Sequence, residues 1–544
     1  MKNSAKNKRT RIGSNTVFLS LLLLILPFLF STSSFGQTTE PGAEYPLWSK
    51  KKVKMIELSW SNPTVEFLAK NIQGLERSCP MNGITVRFYG SDPNKKKVGT
   101  NAMSRNPWKY EWFKETMDLY KKIPFKKLTD NFFYTVVSPG DADWFKDEDW
   151  AAVCNNYGIA ARVAKETGMR GICFDIEEYG IKFWDFSTIK TGQTYEQAYK
   201  MARQRGEEWG KAVFGAYPEI AILALHMMSY GGKSSSLTVP FFNGVISVMP
   251  TGATLHDGLE SASYHAKKAT DYDAMSFMLD RKYLERIEIS NVFKYRTQIK
   301  LAPGFYMDGM FTENKESIWH KILQPEIGEN PKEFFRRNLM SAERISDEFI
   351  WIYGEKGAWW TGTRYPLWED RVPGITNVVL SVNNPEMLIT GDLANLLKNP
   401  EFKEKKKDWN FWQIEQEKKN VPLPGRGFEE DGLLKIEGVT SGCFVQSVPV
   451  EPGSLYYLKV TARYENETRG FGSATIAFKD KNQKWNHFEQ KKNVPFPKNK
   501  SGWITETILF TVPEDSHYIS VQMGANNLGK GGQVAFQKIA LFKL

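Results

Sequence analysis

The sequence predicts an α/β protein: a (β/α)8 barrel over residues 45–375, a connection over 376–394, and an all-β jelly roll or β-sandwich over 395–544. Three observations predict it. Between residues 54 and 353, short apolar strand-like segments alternate with amphipathic, capped helical segments, eight times over. From about Asn395 that helical period disappears, leaving short β-rich segments split by Pro, Gly and Asn. The length, 544 residues, also exceeds what one ordinary core organises.

The N-terminal segment reads as a leader. Lys2, Lys6, Lys8, Arg9 and Arg11 precede an apolar run from Val17 to Phe30, and Ser34-Phe35-Gly36 offers small residues before Gln37. Residues 1–36 are therefore expected to be a signal peptide. The apolar run is short for a bilayer span, so the expected mature chain is secreted or periplasmic with no membrane span. Removing the five basic residues of this leader lowers the formal net charge from +10 to +5. The remaining Lys51-Lys52, Lys95-Lys96-Lys97 and Lys405-Lys406-Lys407 clusters then read as solvated surface. No nucleic-acid partner is expected.

The barrel elements follow in order. Lys54–Trp60 is the first strand, and Asn62-Pro63 looks like the start of the first helix. Strands follow at Gly83–Tyr89 and Phe132–Val137, with helices near 108–122 and 149–167. The fourth strand lies in Arg170-Gly-Ile-Cys-Phe-Asp-Ile-Glu-Glu-Tyr-Gly180. Thr194-Tyr-Glu-Gln197 is a capping box that opens the next helix. Ile220–Met228, Ala253–Leu255, Gln298–Tyr306 and Phe349–Tyr353 complete the strands. Residues 240–248 fit a helix or a strand equally well, and 361–394 carry no assignable pattern. Five strands are expected after 395, at 443–450, 455–462, 474–478, 504–512 and 518–523. Four cysteines, Cys79, Cys154, Cys173 and Cys443, show no metal-binding spacing; export permits a disulfide such as Cys79 with Cys154, but the pattern is not that of a disulfide scaffold.

The fourth strand carries the chemistry. Ile172, Phe174 and Ile176 alternate with Cys173, Asp175 and Glu177, so one row is apolar and the other ends in two carboxylates. A buried parallel strand should be apolar on both faces. Acids at its C-terminal end sit where barrel enzymes place catalytic groups. Same-face spacing puts Asp175 and Glu177 together at the mouth, where two close acids cannot both ionise freely and one becomes a proton donor near neutrality. The alternatives are a metal site or a structural pair salt-bridged to Arg170 or Arg203. Glu355 ends the eighth strand, after Trp351 and Tyr353 in the same row. Asp257 sits between His256 and Gly258 and is a further candidate, or else a turn residue. Glu178, Tyr179, Trp184, Tyr230, Trp359 and Trp360 are the expected sugar-contacting groups, each with a packing role as its alternative. Trp409, Trp412, Trp485 and Trp503 are expected to pack in the β-sandwich core.

Two resemblances fit these readings. Gly171-Ile-Cys-Phe-Asp175-Ile-Glu177 resembles the Asp-x-Glu ending of the strand-four motif of family 18 chitinases, in which the Glu is the acid. Met228-Ser-Tyr230 is similar to that family's Met-x-Tyr element. Arg170 and Cys173 stand where the family has aspartates, and Gly231 replaces its Asp, so the resemblance is to barrel glycoside hydrolases with the family unassigned. The C-terminal region resembles carbohydrate-binding modules of the family 4/9 type, through Asn399-Pro-Glu-Phe402, Gln446-Ser-Val-Pro-Val450, Pro452-Gly453, Phe510-Thr-Val-Pro513 and Ile539-Ala-Leu-Phe542.

Together these imply an exported glycoside hydrolase acting on a poly- or oligosaccharide. Glu177 is the expected general acid, Asp175 its partner, and Glu355 or Asp257 the second carboxylate. No cofactor or metal is expected. A non-catalytic glycan-binding protein, or a metal-dependent hydrolase using Asp175, Glu177 and His226 or His256, is the alternative.

Overall fold

The computed structural model describes residues 53–94, 96–138, 140–178, 182–189, 192–228, 235–327, 330–383, 393–414, 425–466, 469–498 and 501–544. The expected signal peptide lies outside them. No helix among the described residues is long and apolar enough to cross a membrane.

A curled, nine-stranded parallel sheet forms the first part. Its strands are β1 (Lys54–Ser59), β2 (Gly83–Val86), β3 (Phe132–Val136), β4 (Gly171–Asp175), β5 (Ala221–Ala224), β6 (Thr254–Asp257), β7 (Ile299–Leu301), β8 (Gly304–Tyr306) and β9 (Phe349–Gly354). They lie in the order β8-β9-β1-β2-β3-β4-β5-β6-β7. Pairing is in parallel register throughout; Phe133 lies opposite Ile172, and Ile172 opposite Ile222. The curl is visible in its concave face, where side chains from distant strands touch. Phe132 and Phe349 meet edge to face at 5.3 Å, and His256 meets Phe349 at 4.7 Å.

The two ends of the sheet are one piece of chain. The sequence predicts a single strand over 298–306, and the structure divides it at Ala302-Pro303. Proline has no N–H to give a ladder. The Ala302 N–H donates back to Asp257 O (3.0 Å), while Pro303 O accepts from Trp351 N–H (3.2 Å). The first half thus pairs with β6 and the second with β9.

Helices cover the convex face: α1 (Val65–Ser78), α2 (Lys114–Lys121), α3 (Asp147–Thr167), α4 (Tyr195–Ala216), α5 (Thr238–Ser247) and, past a short α6 (Glu260–His265) that follows β6, α7 (Pro331–Ile345). The caps explain their starts. Thr64, rather than Asn62, caps α1 by accepting from Phe67 N–H, and Thr194 with Gln197 forms the capping box of α4. Residues 240–248 resolve as helix α5, because burial on nearly every side removes the periodicity that would have marked it. The stretch left unassigned contains short helices at Trp368–Arg371 and Ile375–Ser381. Ile172, Phe174 and Ile176 face the helix layer, and Cys173 faces the concave side. Each such side chain removed from water contributes about 1.5–3 kcal/mol before entropy is charged against it.

The C-terminal region is antiparallel. Its strands are β10 (Asn410–Gln413), β11 (Arg426–Glu430), β12 (Leu433–Glu437), β13 (Ser441–Pro449), β14 (Leu455–Tyr464), β15 (Phe471–Lys479), β16 (Ile504–Thr511), β17 (Tyr518–Asn526) and β18 (Gln533–Lys543). One sheet runs β10-β13-β17-β15, extended by short strands at Trp485–Asn486 and Lys492–Pro495; the other runs β11-β12-β18-β14-β16. The inward rows of both, including Phe444, Ile476 and Val521 from one and Leu458, Ile539 and Leu541 from the other, share one core. Period-two alternation is plain in β13 and β16, which is why these strands were legible. The second sheet's outer face is also apolar: Leu455, Tyr457, Ala540, Phe542 and Leu544 pack with Ala269 and Met340 of the first part. Glu514 adds an ion pair to Lys268 (2.7 Å) and accepts from Thr270 Oγ1 (2.6 Å).

Candidate active site

The C-terminal ends of the parallel strands open on a cavity of about 500 Å³. Four acids line it: Asp175 at the end of β4, Glu177 two residues on, Glu260 at the start of α6, and Glu355 just past β9. One wall is aromatic, with Tyr264, Tyr306, Trp319, Trp351 and Tyr353. The lining also includes Ser59, Trp60, Arg87, Thr100 and Ser138. Aromatic faces beside a few convergent polar groups suit a pyranose, whose two faces are apolar and whose rim is hydroxylic.

Asp175 sits lowest, 4% exposed. Its Oδ1 accepts from the Glu177 N–H (3.0 Å) and its Oδ2 from the Tyr134 hydroxyl (3.0 Å). Burial, and then the charge of Glu177, push its pKa from 3.8 to about 7, although both hydrogen bonds pull the other way. Asp175 therefore holds a proton near neutrality, beneath a half-buried Glu177 that faces the cavity. This is the arrangement expected from their shared strand face.

Glu355 is positioned by Asp308. Asp308 Oδ2 accepts from the backbone N–H of Glu355 (2.6 Å) and of Lys356 (3.0 Å), while its Oδ1 pairs with Arg371 Nη1 (3.0 Å). The Tyr353 hydroxyl donates to Glu355 Oε1 at 3.1 Å.

Other expected residues lie elsewhere. Asp257 is fully buried, is not among the cavity-lining residues, and its Oδ1 accepts from Leu259 N–H (3.0 Å). Burial raises its pKa to about 6. Glu178 turns back to accept from the Trp184 backbone N–H. Trp184 is buried among Trp144, Phe183 and Phe241, with Nε1 bonded to Ile176 O (2.9 Å), so no ring face is left for a sugar. Trp359 and Trp360 are likewise buried, Trp359 against Trp368. An adjacent Trp-Trp pair offers no periodicity by which packing can be told from display. Tyr179 and Tyr230 lie outside the described residues. His256 is buried under the site, its pKa lowered by burial to about 3. Of the four sandwich tryptophans expected in the core, only Trp409 is there; Trp412, Trp485 and Trp503 are exposed. All four cysteines are free thiols.

Glu260 and His226 were not singled out as a pair by sequence. His226 follows β5, and its Nε2 lies 3.0 Å from Glu260 Oε2. Burial lowers the His226 pKa, but Glu260, Glu177 and Asp257 together raise it above its ordinary value. Glu177, His226 and Glu260 each offer a ligand atom, all within 4.8 Å of one another, a spacing that a divalent cation could also bridge. The available signal was Asp257-Gly258-Leu259-Glu260, an acid-flanked turn at a strand end. Leu259 there adopts a left-handed conformation (φ 42°), which a branched side chain resists. A Cβ on Gly258 would lie 2.6 Å from Leu225 O and 2.9 Å from Trp351 Nε1.

No family model matches the chain, and no curated protein matches it. Among solved structures, a family 4 carbohydrate-binding module overlaps 27% of this chain and 99% of its own, at 17% identity and a TM-score of 0.21. The enzymatically active domain of tailspike protein 4 of bacteriophage CBA120 overlaps 28% of this chain at 15% identity and a TM-score of 0.23; this chain spans about a fifth (21%) of that domain. A Clostridium thermocellum xylanase 10B fragment, solved with xylohexaose, overlaps 27% of this chain and 28% of its own, at 9% identity and a TM-score of 0.20. Likenesses this low assign the chain to no family.

Proposed function

We propose that this protein is an exported glycoside hydrolase whose parallel sheet closes as a (β/α)8 barrel over residues 45–375, the divided seventh strand forming the seam. The region from 395 onward is proposed as a carbohydrate-binding accessory domain. The observation that carries the reading is Asp175 beside Glu177 in a 500 Å³ cavity with an aromatic wall. Glu177 is the general acid, delivering its proton to the leaving glycosidic oxygen. Asp175, buried beneath it and hydrogen-bonded to its backbone N–H, orients it and shares the proton load of the pair. Tyr306, Trp319 and Tyr353 offer stacking surface, and Glu355 accepts hydrogen bonds from substrate hydroxyls.

The test is reducing-sugar release across a polysaccharide panel. Glu177→Gln should lower turnover of a natural glycoside by about 10²–10⁴-fold, the usual cost of losing a general acid. Aryl glycosides with a good leaving group, which need little protonation, should lose far less. Equal losses on both would remove Glu177 from that role. A panel on which the wild-type protein releases nothing would instead favour a glycan-binding protein without catalysis.

A further inference from the structure

We infer that Glu260 is the carboxylate that meets the anomeric carbon, working across the cavity from Glu177, and that His226 is its positioning residue. This rests on the glycosidase reading above and adds to it the catalytic partner and the stereochemical course.

Three observations carry it. The carboxylate oxygens of Glu177 and Glu260 come within 4.8 Å of each other. Glycosidases that form a covalent intermediate hold their two carboxyl groups about 5–5.5 Å apart, whereas those that place a water between them need about 6.5–9.5 Å. Glu260 is 8% exposed and lines the cavity, with its Oε2 held 3.0 Å from His226 Nε2. The carboxylate therefore borders the space a sugar ring would fill, held in place from behind. Finally, the chain is bent to put it there. The left-handed Leu259 is pinned by the hydrogen bond from its N–H to Asp257 Oδ1, and Glu260 N–H donates to Leu225 O (3.2 Å). Strain of this kind persists where surrounding structure holds it for a purpose. Asp257 thus acts through Glu260 rather than on the substrate.

His226 lies against Glu260 Oε2, with Glu177 and Asp257 the other charged groups around it. It fixes the carboxylate's direction.

The reaction balances in two steps. A Glu260 oxygen bonds to the anomeric carbon as the glycosidic C–O bond breaks, and the Glu177 proton goes to the departing oxygen. Water then bonds to the anomeric carbon, the ester C–O bond breaks to return the Glu260 carboxylate, and Glu177 takes the proton of that water. Two inversions give net retention.

The test uses the full-length native protein. A panel of 4-nitrophenyl glycosides first identifies sugars that it turns over. The matching 2,4-dinitrophenyl 2-deoxy-2-fluoroglycosides, which glycosylate a nucleophile quickly and release it slowly, are then applied, and the labelled peptide is sequenced by mass spectrometry. The expected result is one label per chain on Glu260, with a first product of retained anomeric configuration by NMR. Glu260→Gly should regain turnover with azide and yield a glycosyl azide of inverted configuration. His226→Asn should lower kcat with little change in KM, a split that general loosening of the fold would not give. A label on Glu355, no label on a sugar that is turned over, or an inverted product overturns the assignment. So does a stoichiometric divalent cation whose removal by EDTA abolishes turnover, since the trio would then be metal ligands. Failure to hydrolyse any member of the panel refutes the glycosidase reading itself.

Discussion

Replacing Asp175 with Asn should make the protein more stable and much less active, with a pH signature that separates this from ordinary repacking. Asp175 titrates near 3.8 when unfolded and about 7 when folded. Between those values the folded state holds a proton that the unfolded state has released, so stability falls as pH rises through that window. The penalty is absent well below pH 4 and nearly complete above 7. At 1.36 kcal/mol per pKa unit, it amounts to about 2 kcal/mol at pH 5 and about 4 kcal/mol at pH 7, as orders of magnitude. Asparagine is isosteric and neutral. Its Oδ1 can still accept from the Glu177 N–H, and its amide can donate to the Tyr134 hydroxyl, so little packing changes. Denaturant titrations at pH 3.5, 5 and 7 should therefore show wild type and Asp175→Asn converging at low pH and diverging as pH rises, with hydrolysis strongly reduced at every pH. A constant offset across pH, or a destabilised variant at pH 7, would refute the claim that Asp175 is a strained, proton-holding acid.

Glu57, fully buried on β1 with its pKa raised by burial to about 8, makes a related prediction. Glu57→Gln should stabilise by about 3 kcal/mol at pH 7 and by almost nothing at pH 4, with activity retained, as read by the same titrations. On the sandwich, Trp412 and Trp485 are 36% and 47% exposed. If this region binds glycan, Trp412→Ala or Trp485→Ala should abolish its retardation by polysaccharide in affinity electrophoresis; unchanged mobility would leave it a brace. Because Leu455, Tyr457, Phe542 and Leu544 pack on Ala269 and Met340, a chain ending at 394 should expose that apolar patch and aggregate. A soluble, monodisperse truncation by size-exclusion chromatography would show that the interface is dispensable.

Much of this was legible in the sequence because the signals were local. Period-two alternation showed Asp175 and Glu177 sharing a face, and the capping boxes and β-rich C-terminal runs needed only neighbours to be read. What escaped depended on direction over distance. Glu260 sits first in a helix, where an acid is ordinary N-terminal chemistry. Only the left-handed Leu259 turns it toward the cavity, and a conformation paid for by tertiary packing leaves no compositional mark. Trp359-Trp360 failed the other way, since adjacent aromatics look displayed when both can be buried on opposite sides of one loop. The division of the seventh strand was visible as Pro303, but its consequence, one segment supplying both ends of the sheet, follows only from the pairing of β6 and β9.

Four departures from good folding practice fall close together. Asp175 holds a proton at a cost, Asp257 is buried at the end of β6, Glu260 is a nearly buried acid, and Leu259 is left-handed. All four lie at the C-terminal ends of β4 and β6, around one cavity. A sequence free to relax them could do so cheaply, since Asn at 175 or Gly at 259 would each relieve a local conflict. Glu57 breaks the same rule on β1 without lining the cavity, which is why its neutralisation should stabilise without loss. The pair of variants therefore separates two meanings of a buried acid. If Glu57→Gln and Asp175→Asn both gain stability but only the second loses turnover, the strain around Asp175 belongs to the chemistry. If both lose turnover together, the cavity reads β1 as well as β4, and Ser59 and Arg87, which interact with Glu57 and line the cavity, are the residues through which it does so.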